Sequence, residues 1–387
     1  MDLPPLVRAP GAQFGVYVHV PFCAARCGYC DFNTYTPGEL DGANPDGWLV
    51  AVRTELRLAA QRLGPQLVDT VFVGGGTPSL LGAQRLAAVL DAVRGSFALA
   101  SDAEVTTEAN PESTSPELFD GLLAAGYTRV SLGMQSVAPH VLAMLDRVHS
   151  PGRAVAAARE AQAAGFGHVN LDLIYGTPGE RAEDFEASLR TVVEAGVDHV
   201  SAYALIVEDG TRLAARMRRG DLPYPDDDVA ADRYLAAEAA LTAAGFAWYE
   251  VSNWARGTDA RCRHNLLYWH GADWWGLGPG AHSHVGGTRW WNVKHPAAYA
   301  KALEQGGWPA AGREILGPDE VATEAIMLRL RLVEGLALDT LGRSGQQAAR
   351  ALVTDGLLEE RAYAAGTAAL TLHGRLLADA AVRALLT

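Results

Sequence analysis

The chain is poor in cysteine and has no surplus of positive charge. Only four of its 387 residues are cysteines, and three of them, Cys23, Cys27 and Cys30, fall within eight positions. A disulfide-stapled secreted fold needs cysteines spread along the chain, so this crowding points to metal or redox chemistry. The 32 basic residues against 45 acidic ones leave a net charge of −13. An acidic surface repels phosphate backbones, so no nucleic-acid partner is expected. No stretch reaches the roughly 18–20 continuous apolar residues of a membrane span. The first twenty residues also lack the basic start, apolar core and cleavage site of a secretory signal. The expected location is cytoplasmic, with attachment to the inner face of a membrane left open. With 49% hydrophobic and 20% charged residues, the chain is neither collagen-like nor disordered. Its length suits two domains, or one large domain with an appendage.

From residue 14 to about 205, β-rich runs alternate with longer stretches of helical period. Strands are expected at Gly15–Val20, Thr70–Val73, Glu104–Glu108, Arg129–Leu132, His168–Ile174 and His199–Tyr203, each followed by helical spacing. Six βα units without a dinucleotide fingerprint predict an α/β fold, a partial (β/α)6 barrel. In barrels of this kind chemistry sits at the C-terminal strand ends, which here carry Glu108, Gln135, Asp172, Tyr203 and the Gly74-Gly75-Gly76 turn. Residues 206–225 read as a connection, and Asp226-Asp227-Asp228 as the cap of a helix running to Ala244. Residues 248–295 hold seven of the nine tryptophans and five of the eleven histidines. From Gly317 the chain reads as helical, with a late strand pair around Glu359–Leu372, and predicts a winged-helix-like appendage. Its seven basic and nine acidic residues argue against DNA binding. The expected divisions are 1–225, 226–316 and 317–387.

The first strand runs into Pro21-Phe22-Cys23-Ala24-Ala25-Arg26-Cys27-Gly28-Tyr29-Cys30, a Cys-x3-Cys-x2-Cys loop. Three thiolates can hold three irons of a 4Fe-4S cubane and leave the fourth open to an exchangeable ligand, against which Tyr29 would lie. Zinc would want a fourth ligand nearby, yet the next hundred residues contain neither cysteine nor histidine. A redox Cys-x2-Cys pair leaves Cys23 unexplained. Cys262 could close the fourth iron, which would make the cluster an electron carrier.

This loop resembles that of the radical S-adenosylmethionine (SAM) superfamily. The resemblance implies that SAM chelates the open iron. Tyr17-Val18-His19-Val20-Pro21-Phe22-Cys23, Gly74-Gly75-Gly76-Thr77-Pro78-Ser79, Glu108-Ala109-Asn110-Pro111, Ser131-Leu132-Gly133-Met134-Gln135-Ser136 and Asp172-Leu173-Ile174-Tyr175-Gly176-Thr177-Pro178 are together similar to the oxygen-independent coproporphyrinogen III oxidase family. By that resemblance Tyr17, Gly75 and Glu108 contact the cluster-bound SAM. Gly76, Thr77, Gln135, Arg147 and Asp172 would contact it or a second SAM. Carboxylates suit ribose hydroxyls or an ammonium, and Arg147 suits a carboxylate.

Two features depart from the oxidases. Cys30 is followed by Asp31-Phe32-Asn33 rather than by another cysteine, and only sixteen residues precede Tyr17. Both resemble the haem-chaperone branch instead, as does His264-Asn265-Leu266-Leu267-Tyr268-Trp269, which carries a His-Asn-x-x-Tyr-Trp signature. The resemblance implies a carrier of haem for haem-accepting proteins, membrane-bound ones included, with His264 as iron ligand beside an aromatic pocket. Cys262 reads as a second haem contact, a thioether site or a buried thiol, the last favoured, and His282 and His284 as secondary ligand candidates. The alternative is an enzyme that decarboxylates a porphyrinogen.

Overall fold

The computed structural model describes residues 3–9, 11–147 and 149–386. Strand β1 (Phe14–Val20) sets the two layers. Side chains alternate across a strand, so Phe14, Val16, Val18 and Val20 are wholly buried on one face, while Gly15, Tyr17 and His19 share the other. Five more strands follow in chain order, each parallel to its neighbour: β2 (Leu67–Gly75), β3 (Ala98–Ala109), β4 (Arg129–Gln135), β5 (His168–Tyr175) and β6 (His199–Ala204). Each contains the segment expected from sequence; β1, β5 and β6 extend it by one residue, and β2, β3 and β4 by more. Parallel neighbours need crossovers. These are supplied by α1 (Pro45–Leu63), α2 (Gly82–Ser96), α3 (Pro116–Ala125), α4 (Pro139–Met144) with α5 (Arg153–Ala164), and α6 (Ala182–Ala195). Their apolar stripes, such as Val52, Leu56 and Ala59 on α1 and Phe185, Leu189 and Val192 on α6, close over the sheet as one core.

The segment expected as a plain connection contains a short helix, α7 (Arg212–Arg218), because the Thr211 hydroxyl accepts from the Ala214 amide at 3.1 Å and starts a turn. The next helix, α8 (Asp227–Ala243), begins at Asp226, whose carboxylate accepts from the Asp228 and Val229 amides. This acidic triplet is therefore a helix cap.

The Trp- and His-rich region holds more sheet than its sequence suggested. It forms β7 (Ala247–Glu250), β8 (Asn253–Ala255), α9 (Arg263–Trp269), β9 (Asp273–Leu277), β10 (His282–Val285), β11 (Thr288–Asn292), α10 (Pro296–Glu304) and β12 (Ala310–Ile315). The twelve strands lie in the order β12-β11-β10-β9-β1-β2-β3-β4-β5-β6-β8-β7. Thus β9 extends the parallel set beside β1, while β8 pairs antiparallel with β6 at the other side. Both edges of the six-strand set are therefore paired, and the edges of the whole sheet are β12 and β7.

The C-terminal part comprises α11 (Pro318–Arg329), β13 (Leu336–Ala337), α12 (Arg343–Thr354), α13 (Glu360–Ala364), β14 (Thr367–Ala368), α14 (Leu372–Leu376) and α15 (Ala378–Leu385). Leu330, Leu336, Ala349, Leu358, Ala368 and Ala381 form a core of its own. Only β14 lies where a strand pair was expected. Its partner is β13, and within the expected segment α13 takes the place of a second strand, leaving a single antiparallel bridge between Leu358 and Leu370.

One buried carboxylate joins the outer strands to the barrel. Glu55 on α1 accepts from the Gly278 amide at 3.0 Å, the Asn292 side-chain amide at 2.8 Å and the Tyr299 hydroxyl at 2.5 Å. Burial nevertheless outweighs these donors and raises its pKa from the usual 4.5 to about 7. The folded state thus holds a proton that the unfolded state has released, and this contribution, full below about 4.5, fades as the pH rises through about 7. We expect the difference in thermal stability between Glu55→Gln and wild type to shift in the variant's favour across that window and then level off. A difference that stays flat with pH would show that Glu55 is ionised throughout.

Candidate functional site

The cysteine loop joins β1 to α1 and is fastened on three sides. The Gly28 amide donates to the Leu145 carbonyl at 3.1 Å, and the Leu213 amide to the Gly28 carbonyl at 2.8 Å. His19 supplies the third tie. Its Nε2 donates to the Asn33 carbonyl at 2.9 Å, which leaves Nδ1 to accept from the Tyr17 hydroxyl at 3.0 Å. Cys23, Cys27 and Cys30 are all half-buried. Burial raises the Cys23 and Cys30 thiols, Cys30 to about 11, while the Thr77 hydroxyl, 3.7 Å from Cys23 Sγ, pulls Cys23 the other way. Among the described residues no three metal-ligating side chains converge on one point. Three thiols on one loop are the donors that a cubane needs, each thiolate taking a different iron.

The glycine turn after β2 is a close approach of backbones. A Cβ at Gly76 would lie 2.6 Å from the Phe22 carbonyl oxygen and 3.0 Å from Cys23 Sγ. Gly75, at φ +112°, has no room beside the His19 ring, and its amide donates to Glu108 Oε2 at 2.9 Å. Burial, and then the charge of Asp172, raise Glu108 to about 7. Burial raises Asp172 too, against hydrogen bonds from Ser131, Ser201 and Asn170. Two carboxyls that are costly to ionise together favour a ligand that brings positive charge and hydroxyl donors.

Arg147 faces them from the segment after α4. Its Nη2 donates to the Gly133 carbonyl at 3.0 Å and its Nη1 to Cys27 Sγ at 3.4 Å. Its buried Nε has no partner among the described residues, leaving a donor for a carboxylate. Gln135 ends β4 at φ +66°, a left-handed geometry that turns the chain into the mouth.

A cavity of about 1130 Å³ opens onto this end of the sheet. Tyr29, Glu108, Gln135, Asp172 and Tyr203 line it, with residues of α14 and α15 at its far side. Tyr17, Gly75, Gly76, Thr77 and Arg147 are not among its lining residues and lie on the side of the cysteine loop. Sequence reading missed Phe72, Ser131, Asn170 and Ser201 in the lining. Asn170 donates to Asp172 Oδ1 at 2.7 Å and to Ser201 at 3.0 Å, so it aims the carboxylate. The signal was available in Asn170-Leu171-Asp172, two polar residues on one face of a strand.

His264, the expected iron ligand, is 1% exposed. Its Nδ1 is 2.8 Å from the Thr70 hydroxyl and its Nε2 2.8 Å from the Tyr268 hydroxyl, and the ring stacks on Phe72 with centroids 5.2 Å apart. Burial holds its pKa down at about 4, so it stays neutral. Both nitrogens are engaged, and ligation through either would require breaking one of these bonds. Cys262, 3% exposed, donates to Glu104 Oε1 at 3.5 Å, as expected of a buried thiol.

Comparison with known proteins bears on the family and the fold. Residues 17–192 match the family model described as the radical SAM superfamily. The chain is 63% identical over 386 residues to the protein named heme chaperone HemW of Mycobacterium tuberculosis (strain H37Rv), covering 100% of this chain and 98% of the relative. It is 35% identical over 340 residues to the heme chaperone HemW of Escherichia coli (strain K12), covering 86% and 84%. Its fold matches the solved structure of the E. coli coproporphyrinogen III oxidase HemN with a TM-score of 0.82 at 24% identity, over 98% of this chain and 91% of that one. At that identity the likeness speaks for the fold alone. With a cysteine loop on a six-unit open barrel and an end-to-end match, the chain belongs to the HemW haem-chaperone family of radical SAM proteins.

Proposed function

We propose that this protein binds haem and hands it to acceptor proteins, membrane-bound ones included, while its barrel holds a 4Fe-4S cluster and SAM. The observation that carries this reading is the full-length identity with proteins named haem chaperones. Cys23, Cys27 and Cys30 would hold the cluster, each through one iron. Gly75 and Gly76 clear space for a ligand beside it, Glu108 and Asp172 accept its hydroxyl and ammonium donors, and Arg147 Nε binds its carboxylate. When bound, the cluster supplies one-electron chemistry to SAM. Tyr29 and Tyr203 then flank the mouth and keep water from the bound ligand.

The test is an anoxic haem titration of the cluster-reconstituted protein, followed by mixing with an apo-haemoprotein. One-to-one saturable binding, and transfer faster than haem's own dissociation into buffer, are expected. No saturable binding, together with turnover of coproporphyrinogen III in the presence of SAM and reductant, would overturn the carrier in favour of an oxidase.

A further inference from the structure

The antiparallel strands β9–β12 present a face that the barrel chemistry does not use. In the β1–β9 pairing Val16 stands beside Trp275, both in the core, and Gly15 beside Trp274. Trp274 therefore lies on the same face as Tyr17, the inner face of the arc. That face continues outward: His284 pairs with Trp274 and Arg289, and His282 with Trp291. Ser283 and Trp290, on the alternate positions, are buried in the core. The inner face of this extension thus carries two imidazoles and two indoles in adjoining rows.

The two imidazoles differ from His264 in what their nitrogens do. His284 Nδ1 is 3.1 Å from the Ala272 carbonyl, an acceptor, so that nitrogen carries the proton. Its Nε2 then holds a lone pair and has no hydrogen-bond partner among the described residues. An imidazole whose Nδ1–H is tied to a carbonyl and whose Nε2 is open has its tautomer and ring orientation fixed for a metal ligand. His19, His199 and His264 have both nitrogens engaged. The ring of His284 lies against Trp274, centroids 5.3 Å apart, and Trp274 is fixed by its indole donating to the His282 carbonyl at 2.9 Å. The His282 ring stacks on Trp291 at 5.8 Å and 25°. Two residues along a strand span about 6.6 Å, so a porphyrin reaches from one row to the other. Arg289 is already paired with Glu314 and Glu324, whereas the exposed Lys294, next to β11, makes no ion pair among the described residues and suits a carboxylate.

We propose that His284 is the axial ligand of the carried haem through Nε2, with the porphyrin laid along Trp274, His282 and Trp291 and its propionates toward Lys294. The inference deepens the haem-carrier reading and rests on it. It gives the His-Asn-x-x-Tyr-Trp segment a positioning role: His264 holds the Tyr268 hydroxyl, and the Tyr268 ring packs edge-on at 4.7 Å against Trp274, the indole on which His284 lies.

The experiment is a hemin titration of the full-length, cluster-reconstituted protein, read as a difference spectrum against haem-free protein, with His284→Ala, His284→Gly and His264→Ala in parallel. Cluster content serves as the check that each variant folds. His284→Ala is expected to weaken binding at least about a hundredfold and to lose the imidazole-ligated spectrum. His264→Ala is expected to weaken it about tenfold with that spectrum retained, as for an outer partner. Added imidazole should restore the ligated spectrum in His284→Gly. Wild-type binding with an unaltered His284→Ala titration would sink this assignment and leave the carrier standing. Loss of the ligated spectrum in His264→Ala alone would return the ligand to α9. Absence of saturable wild-type binding would remove the carrier reading itself.

Discussion

Alanine at Cys23, Cys27 or Cys30 is expected to abolish the iron-to-thiolate absorbance of the reconstituted protein. Each thiolate would hold one iron of the cubane, and no other cysteine stands near to replace it, since Cys262 is buried against Glu104. The loop that presents them depends on the glycine turn, so a change outside the ligand set should act in the same direction. At Gly76 a methyl group would meet the Phe22 carbonyl oxygen at 2.6 Å and Cys23 Sγ at 3.0 Å. Neither is the flexible end of a long side chain, and the loop must move. Gly76→Ala is therefore expected to lower cluster content several-fold, whereas Gly95→Ala on α2, where an added Cβ meets nothing within 4 Å, should leave it unchanged. Iron and sulfide content with the absorbance spectrum would measure this. A full cluster in Cys30→Ala would remove it from the ligand set, and a full cluster in Gly76→Ala would show that the loop has slack to spare.

Removing the Glu104 carboxylate should cost the most stability. Glu104 and Arg129 form an ion pair at 3.0 Å with side chains 5% and 2% exposed. Glu104 Oε1 also accepts from the His264 amide at 3.0 Å, and Arg129 Nη2 donates to the Ala260 and Arg261 carbonyls. The pair thus fastens the start of α9 to the floor of the barrel. Leaving one charge of such a pair buried alone costs about 3–5 kcal/mol. Glu104→Ala is expected to lose that much in denaturant unfolding, and Glu104→Gln less because it retains an acceptor for the His264 amide. Burial raises the Glu104 pKa, but Arg129 and the amides of His264 and Arg263 outweigh it and leave the carboxyl below its usual range. This contribution is complete above the usual carboxylate pKa and is lost as the pH falls through the lowered one. A loss under about 1 kcal/mol in Glu104→Ala would mean that water reaches Arg129 once the carboxylate is gone.

Much of the chain could be read locally. The six parallel strands announce themselves because each is a short apolar run bounded by helical spacing, and both signals arise from residues a few positions apart. The same holds for Asp226 as a helix cap and for the three cysteines, whose spacing on one loop already limits what they can hold. The glycine turn and Glu108 could be read as C-terminal strand ends, a family likeness implied their role, and the structure adds the reason for them: a methyl group at Gly76 would strike the cysteine loop, and the Gly75 amide needs an acceptor.

Other features depended on partners far away in sequence. Strands β9 and β11 each carry tryptophan on both faces, so alternation of polar and apolar residues is blurred there, and pairing with β1 and with neighbouring strands makes them strands. His19 became a support of the cysteine loop because Asn33 folds back over it, and Phe72 became a wall of the site through its place beside β1. The contrast is sharpest for the histidines. Sequence alone determined that a signature histidine sits in an aromatic segment. Tertiary structure decided that His264 spends both nitrogens on Thr70 and Tyr268 while His284 keeps one without a partner among the described residues, because a ring nitrogen's availability depends on which oxygen the fold brings within about 3 Å of it.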